Sequence, residues 1–420
     1  MIIKKHFTLN KVKLINTIIF LILIIQNQYA KILGDVEPYI EKIISFIPII
    51  IAMLFLFYSM TKKKKPAAVK EGKEIIKIYT QYFELLFISV LLALVFNRFA
   101  IDIYGFRFWT RFIDKLLLRI SSIIIVVSSW EINKDECLDS LKNALIIDGF
   151  LIILLSIFRN GVITTAAGIL ASLNLFEENA ATAILEIHEA TFVIGLLILY
   201  YLFFDTSAKK KKGTVIILSF LFIAGGKRIA FLALIIASIF AIIMRQRVKK
   251  NTIIFTGMIG IIVSCLYIWF LYSGIFFAIS RSFEIDIKNR DLIYGFFIRR
   301  TELSPLYFGW GFSSVSRVIE NMDLNEVKWM VVVRGLHCDI LKQYIEFGFL
   351  GFIYWLYFIL IHLPNKLYSK FGKNSALVYM VLIIYTFLTY LTDNTEGYFL
   401  FQSTLMLLPL ANRITESNKK

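Results

Sequence analysis

Residues 251–272 read NTIIFTGMIGIIVSCLYIWFLY, a run of twenty-two residues without one charged side chain. An α-helix of that length rises about 33 Å, which is enough to cross the roughly 30 Å hydrocarbon core of a bilayer. The run therefore predicts a transmembrane helix, and runs of similar character recur on both sides of it.

The composition of the whole chain is typical of a membrane protein. Of its 420 residues, 58% are hydrophobic and only six are proline, and the mean hydropathy of +0.73 exceeds what a soluble core and surface together give. We predict an all-α, polytopic membrane helical bundle with about twelve transmembrane helices, over residues 13–32, 39–60, 76–97, 112–130, 143–159, 188–205, 213–226, 228–244, 251–272, 339–361, 375–392 and 398–412.

Basic clusters predict the orientation, because cytoplasmic loops retain lysine and arginine. With the N-terminus in the cytoplasm, every cluster falls on the cytoplasmic side, at residues 62–65, 209–212, 245–250 and 366–373. We therefore expect a multi-pass protein of the cytoplasmic (inner) membrane with both termini in the cytoplasm. The net charge of +16 is then a topology signal, and no nucleic-acid partner is expected because the basic runs lack interleaved stacking aromatics.

Residues 273–338 interrupt the apolar pattern with polar and aromatic sequence. Irregular backbone cannot face hydrocarbon, so this segment must lie outside the bilayer or line a wet cavity. The chain divides into helices 1–9 (residues 1–272), a large extracytoplasmic loop with amphipathic helices (273–338), and helices 10–12 with a cytoplasmic tail (339–420). A second interruption, residues 161–187, is too broken to cross and is expected to be re-entrant or interfacial.

Candidate site residues collect at the outer ends of three predicted helices. His188 and Glu189 open the sixth, Arg228 opens the eighth and His337 opens the tenth. Arg228 follows Gly225-Gly226 on the outer side of the membrane, where basic residues are disfavoured. Because inserting an arginine at a membrane helix costs free energy, its presence there predicts a functional site. The outer loop adds further guanidinium groups on the same surface, at Arg281, Arg290, Arg299, Arg300 and Arg334.

Several of these residues have structural interpretations. Arginines at helix ends commonly reach to lipid head groups, and we favour that role for Arg281, Arg299 and Arg300. His188 suits helix capping as well as binding. Cys338, beside His337, is expected to be a small apolar filler, and the three cysteines predict no disulfide framework.

A stripe of residues follows His337 at helical spacing, at Leu341, Tyr344, Gly348, Gly351 and Trp355. The two glycines predict close approach of a neighbouring helix. That packing would turn the stripe toward the bundle interior and leave His337 at its outer mouth.

Arginine-rich pockets at a membrane surface suit phosphate groups, because guanidinium forks bind them bidentately. A lipid diphosphate is the natural ligand there. The chain has no Gly-x-x-x-x-Gly-Lys-Ser/Thr loop for a nucleotide, no aspartate pair one residue apart and no His-Glu-x-x-His. We therefore expect neither a cofactor nor a metal.

Several motifs resemble the O-antigen polymerase and O-antigen ligase superfamily over roughly residues 180–410. They are residues 308–312 (FGWGF), 335–341 (GLHCDIL) and 346–351 (EFGFLG), with support from Lys227-Arg228, from residues 289–291 (NRD) and from residues 186–192 (EIHEATF). The last segment is similar to polymerases of capsule or exopolysaccharide systems. The chain departs from the common pattern in having Gly225-Gly226-Lys227 where a serine often precedes the arginine, and Cys338 where asparagine is frequent.

The resemblance implies a GT-C-type glycosyltransferase that acts on undecaprenyl-diphosphate-linked sugars at the outer face of the membrane, without a metal. Carried over, Arg228 and Arg290 would hold the donor diphosphate, and His337 would activate the acceptor hydroxyl. Further contacts to the lipid diphosphate or glycan are expected from Arg281, His188, Glu189 and Arg334.

We therefore predict a polysaccharide polymerase that joins lipid-linked repeat units into capsule, exopolysaccharide or O-antigen. Its partners are the lipid-linked glycan donor and acceptor, membrane lipid, and flippase and chain-length regulator proteins. Two alternatives stay open. One is a ligase of the same superfamily that moves a finished glycan to a different acceptor. The other is a polysaccharide transporter or flippase, which is expected to have paired halves and polar residues deep in the membrane.

Overall fold

The structure is a computed structural model, and its elements follow the apolar runs of the sequence. It describes residues 2–26, 28, 43–44, 46–61, 66–96, 106–133, 136–171, 185, 188–205, 208–283, 290–321 and 335–417. Across these ranges the regular secondary structure is helical, and no strand occurs. This confirms the prediction of an all-helical membrane protein.

The described residues form seventeen α-helices. In chain order they are α1 (Ile2–Gln26), α2 (Ile47–Thr61), α3 (Pro66–Phe96), α4 (Phe106–Asn133), α5 (Cys137–Asn160), α6 (Val162–Ala171), α7 (His188–Phe203), α8 (Ala208–Ala224), α9 (Arg228–Met244), α10 (Lys250–Tyr272), α11 (Ile275–Ser282), α12 (Arg290–Ile298), α13 (Ser314–Asn321), α14 (Asp339–Tyr357), α15 (Leu363–Phe371), α16 (Lys373–Tyr390) and α17 (Phe399–Ser417).

Each of the twelve predicted runs overlaps one of these helices. In the described part of the chain, five helical stretches are both long and apolar enough to cross a membrane: Val69–Leu92, Cys137–Asn160, Lys250–Tyr272, Asp339–Phe371 and Lys373–Tyr390. Five others that match a predicted run, namely α2, α7, α8, α9 and α17, contain apolar stretches that are shorter. The membrane-helical character is therefore confirmed, whereas the number of crossings and the orientation of the termini stay predictions.

Helix α7 lies at the centre of the bundle. Its residues Phe192 to Leu199 are apolar on every face and almost fully buried, as expected for a helix surrounded by other helices. It packs against α8, α9, α16 and α17. Gly195 lets α16 approach closely, because a Cβ there would collide with the phenol of Tyr385. The Tyr385 hydroxyl donates to the carbonyl of Phe192 at 3.3 Å.

Helix α9 packs against α16 through a stripe of small side chains. Ala230, Ala233, Ala237 and Ala241 are all buried, and their spacing of three or four residues places them on one face. Small residues at a helix interface bring two backbones close together. This contact fixes the start of α9, where Arg228 lies, relative to the residues that follow α16.

Helix α14 is not continuous, which corrects the predicted glycine groove. Gly348 has φ 69° and ψ −177°, a non-helical conformation inside the helix. Loop backbone packs against the helix at this break. The amides of Trp310 and Gly311 donate hydrogen bonds to the carbonyls of Ile345 and Glu346 at 2.9 and 2.8 Å. The partner of Gly348 is therefore the FGWGF segment and not another helix.

The break at Gly348 needs glycine for two reasons. Its positive φ is rarely adopted by other residues, and an added Cβ would collide with the backbone of Tyr307 and Phe308. The Phe349 amide completes the contact by donating to the Tyr307 carbonyl at 2.8 Å. The segment after residue 273 thus joins the membrane bundle through its main chain.

The second predicted interruption is partly described. Helix α6 follows Gly161 directly and packs against α5 and α8. Residues 172–184, 186 and 187 lie outside the described residues, so the re-entrant character of this segment stays a prediction.

Candidate functional site

His337 lies just before helix α14, which begins at Asp339. The predicted stripe on one helix face therefore does not include His337. Its φ of +50° is a left-handed conformation, uncommon for a residue other than glycine. The hydroxyl of Tyr294, on α12, donates to the His337 carbonyl at 3.0 Å. The His337 side chain is 38% exposed. The hydrogen bond therefore holds the backbone of the residue while the imidazole ring stays accessible.

Cys338 caps helix α14. Its Sγ atom accepts a hydrogen bond from the Leu341 amide at 3.4 Å, which satisfies one of the free N–H groups of the first turn. Burial raises the pKa of the Cys338 thiol to about 12, so the sulfur stays protonated near neutral pH and is a poor nucleophile. The residue combines the expected apolar filling with a capping role.

Asp393, in the turn after α16, is the partner of His337. Its Oδ1 atom lies 3.9 Å from His337 Nδ1, and its Oδ2 atom lies 3.8 Å from the Nζ atom of Lys227. The Asp393 side chain is only 10% exposed. Three distant parts of the chain, before α9, before α14 and after α16, therefore meet at one carboxylate.

The charge of Asp393 is maintained by these partners. Burial alone would raise its pKa, but the neighbouring His337 imidazole and the positive charge of Lys227 outweigh burial and hold the pKa at about 2. Asp393 is therefore an anion at neutral pH.

Two tyrosine hydroxyls form hydrogen bonds to this pair, that of Tyr294 to His337 and that of Tyr398 to Asp393. Tyr398 donates to Asp393 Oδ1 at 3.3 Å. Burial raises the pKa of Tyr294 well above the ordinary value, so this phenol stays a neutral donor. The amide of Asn394 adds a hydrogen bond to Asp393 at 2.8 Å.

The two predicted diphosphate-binding arginines flank this group. Arg228 is the first residue of α9, follows Lys227 directly and has an exposed side chain. Arg290 opens α12, the helix that carries Tyr294, and its positive charge opposes the rise in the pKa of Tyr294. The structure thus brings His337, Arg228 and Arg290 to one end of the bundle.

The other predicted binding residues have different surroundings. Arg281 is exposed in the last turn of α11. Glu189 is buried, and its carboxylate accepts hydrogen bonds from the amides of Leu400 and Phe401, so it caps the start of α17. The side chain of His188 and all of Arg334 lie outside the described residues.

Sequence reasoning did not select Lys227 or Asp393. A signal was present, because residues 392–397 (TDNTEG) form a short polar break between two apolar runs and the predicted topology places that break on the side of His337. Among the described residues, no three His, Cys, Asp or Glu side chains are grouped to hold a metal ion. The groups that meet are an imidazole, a carboxylate, an ammonium and two phenols.

Comparison with known families gives one match, to the middle of the chain. Residues 213–356 match the family model described as O-Antigen ligase, a range that includes Lys227, Arg228, Arg290 and His337 but ends before Asp393. A search of curated proteins found no match. The matched region supports an enzymatic role in the transfer of lipid-linked glycans. The match supports the resemblance of this part of the chain to the O-antigen polymerase and O-antigen ligase superfamily.

Proposed function

We propose that this protein is a GT-C-type glycosyltransferase that joins undecaprenyl-diphosphate-linked oligosaccharide repeat units into long chains. It works at the outer face of the cytoplasmic membrane, with both termini in the cytoplasm, and supplies capsule, exopolysaccharide or O-antigen. The observation that carries the proposal is the meeting of His337 and Lys227 at Asp393, next to Arg228.

In the proposed reaction, His337 acts as general base. Its Nδ1 atom faces Asp393, which leaves Nε2 for the acceptor hydroxyl. Nε2 takes the proton as the acceptor oxygen bonds to the anomeric carbon of the donor. The bond from that carbon to the diphosphate breaks, and its electron pair stays on the diphosphate oxygen. Asp393 stabilises the imidazolium that forms, and the proton then passes to the departing diphosphate or to water.

Arg228 and Arg290 would bind the donor diphosphate. A guanidinium fork matches two phosphate oxygens and stays charged at all relevant pH values. Fixed cations at the leaving group stabilise the charge that develops as the glycosidic bond breaks. Lys227 adds a positive charge to the same end of the bundle while it neutralises Asp393.

A ligase is the second candidate, because the matching family model is described as O-Antigen ligase. The chemistry at His337 would be the same, and only the acceptor would differ. A transporter is less well supported, since the polar groups that meet at Asp393 lie at one end of the helices and not near their middle.

Reconstitution tests these alternatives. Purified protein in liposomes, supplied with a single undecaprenyl-diphosphate-linked repeat unit, should convert it to a ladder of longer glycans. His337→Ala should leave the substrate unchanged, whereas His362→Ala, at the far end of the helical segment that begins with α14, should give the normal ladder. A ladder from His337→Ala would remove the residue from the mechanism. Products that form only after a different acceptor lipid is added would identify a ligase.

A further inference from the structure

The turn that carries Asp393 also contains a second buried carboxylate, Glu396. This turn joins α16 to α17, and Glu396 is 3% exposed. Its carboxylate is paired with Arg119 on α4, and its Oε2 atom lies 3.7 Å from the Nζ atom of Lys342 on α14. Because a buried carboxylate is costly unless it is paired, these contacts favour one position of the turn against the two helices.

The backbone of Glu396 makes a second connection to α14. Its amide donates a hydrogen bond to Asp339 Oδ2 at 2.7 Å. Asp339 is buried and is the first residue of α14, two residues after His337. A shift of the turn relative to the start of α14 would therefore disturb both the amide and the carboxylate of Glu396. This residue links the segment that carries His337 to the turn that carries Asp393.

Neighbouring residues hold the same turn in place. The hydroxyl of Thr395 forms a hydrogen bond with that of Thr389 at 2.8 Å, and the side-chain amide of Gln402 donates to the Thr395 carbonyl at 3.3 Å. Gly335 packs directly on Asn394, since a Cβ at Gly335 would collide with the side-chain nitrogen of Asn394. The segment before α14 and the turn after α16 are therefore in close contact.

The charged groups around Glu396 balance one another. Asp339 and Glu346, both on α14, add negative charge near Arg119 and Lys342. Glu346 has a fixed place of its own, because its Oε1 atom accepts a hydrogen bond from the amide of Val315 at 3.2 Å. Removing one member of a buried charged group leaves its partners uncompensated. The group therefore favours a single arrangement of α4, α14 and the turn.

We propose that Glu396 is a positioning residue, which holds Asp393 in place against His337. The Asp393 carboxylate and the imidazole lie 3.9 Å apart, and a displacement on the order of 1 Å at a reacting group can lower a rate by about a hundredfold. Glu396 acts through the turn. This role rests on the proposed function, in which His337 takes the acceptor proton and Asp393 stabilises the imidazolium.

Rates of glycan transfer in liposomes, expressed per folded molecule, test this role. Glu396→Gln keeps the shape of the side chain but removes its charge, and it should lower kcat by roughly tenfold while KM changes by less than about twofold. In a chain that already carries Asp393→Asn, the same substitution should lower kcat by less than about a further twofold. The reason is that the turn then no longer carries the carboxylate whose position matters.

Two further variants separate positioning from general destabilisation. Glu396→Asp keeps the charge on a shorter side chain, so it should show the same pattern with a smaller loss of kcat. Asp148→Asn neutralises a buried carboxylate on α5 and should keep the wild-type kcat per folded molecule. An equal loss from Glu396→Gln with and without Asp393→Asn would overturn the proposed role, because the effect would then not pass through Asp393.

Hydrogen exchange measures the position of the turn without any glycan transfer. In the purified full chain, Glu396→Gln should speed the exchange of the backbone amides of residues 392–398 by about tenfold, whereas Asp148→Asn should leave their exchange unchanged. Unchanged exchange in Glu396→Gln would overturn the hold of Glu396 on the turn. Faster exchange in a protein whose wild type never lengthens a glycan would instead overturn the proposed function.

Discussion

The imidazole of His337 lies 3.9 Å from the carboxylate of Asp393, although the two residues precede and follow the α14–α16 part of the chain. Asp393 in turn lies 3.8 Å from Lys227. In the proposed reaction Asp393 is therefore a positioning residue, which orients the imidazole ring and stabilises the positive charge that the ring gains when it takes the acceptor proton.

Asp393→Asn should lower the rate of glycan transfer by about tenfold to a thousandfold, because the neutral amide cannot stabilise an imidazolium. The loss should fall on kcat more than on KM, since the change leaves the donor-binding arginines in place. Initial rates in liposomes measure it. Asp205→Asn, just after α7, is the matched control, and equal rates for the two variants would argue against a role for Asp393.

The depressed pKa of Asp393 also predicts a pH dependence of stability. A carboxylate whose pKa falls from 3.8 to about 2 on folding stabilises the fold above pH 4 by about 2 kcal/mol, and this contribution is lost as the pH falls through the folded-state value. The wild type should therefore unfold at a higher temperature than Asp393→Asn at pH 7, and the gap should narrow between pH 4 and pH 2. If the difference in unfolding temperature between the two proteins does not change with pH, the charge of Asp393 adds no stability.

Gly348→Ala should destabilise the fold by roughly 2 kcal/mol or more, because the residue has positive φ and its Cβ would collide with the Tyr307 backbone. Thermal unfolding in detergent measures this. The control is Gly213→Ala, at an exposed helical position where a Cβ meets nothing within 4 Å, and it should be neutral or slightly stabilising. Equal melting temperatures for both variants would contradict the insertion of the FGWGF segment.

Arg228→Lys distinguishes fork geometry from charge. Lysine keeps the positive charge but loses the bidentate contact, so cells with Arg228→Lys should make less high-mass glycan and Arg228→Ala should make none, at unchanged protein level. Arg245→Lys, an exposed arginine just after the other end of α9, should give wild-type glycan. A full ladder from Arg228→Ala would remove Arg228 from the mechanism.

Glu189 offers a test between capping and substrate binding. Its carboxylate accepts two amide hydrogen bonds at the start of α17, so Glu189→Ala should lower the stability by about 1–3 kcal/mol. Glu189→Gln keeps an acceptor oxygen and should cost less. Activity per folded molecule should stay near wild type in both variants, and a selective rise in KM would instead support the predicted contact with substrate.

The helices were predictable because each corresponds to a long apolar run, and such a run can be recognised from neighbouring residues alone. The convergence of Arg228 and His337 at one end of the bundle followed from the topology of the basic loops. Asp393 was not predictable in the same way, because its role depends on which loops meet after α9 and α14 have packed. Gly348 was misassigned for a related reason. Its spacing fits a helix face, and only the backbone hydrogen bonds to residues 310 and 311 reveal a break.

The account depends on Arg228 and His337 lying together at the extracellular end of the bundle. Its most direct test is labelling of Arg228→Cys and His337→Cys, each in a chain without its native cysteines, by a membrane-impermeant maleimide added to intact cells. Both positions should react from outside, and lysis should be needed to label Lys249→Cys. Labelling of one site position from outside and the other only after lysis would contradict the account.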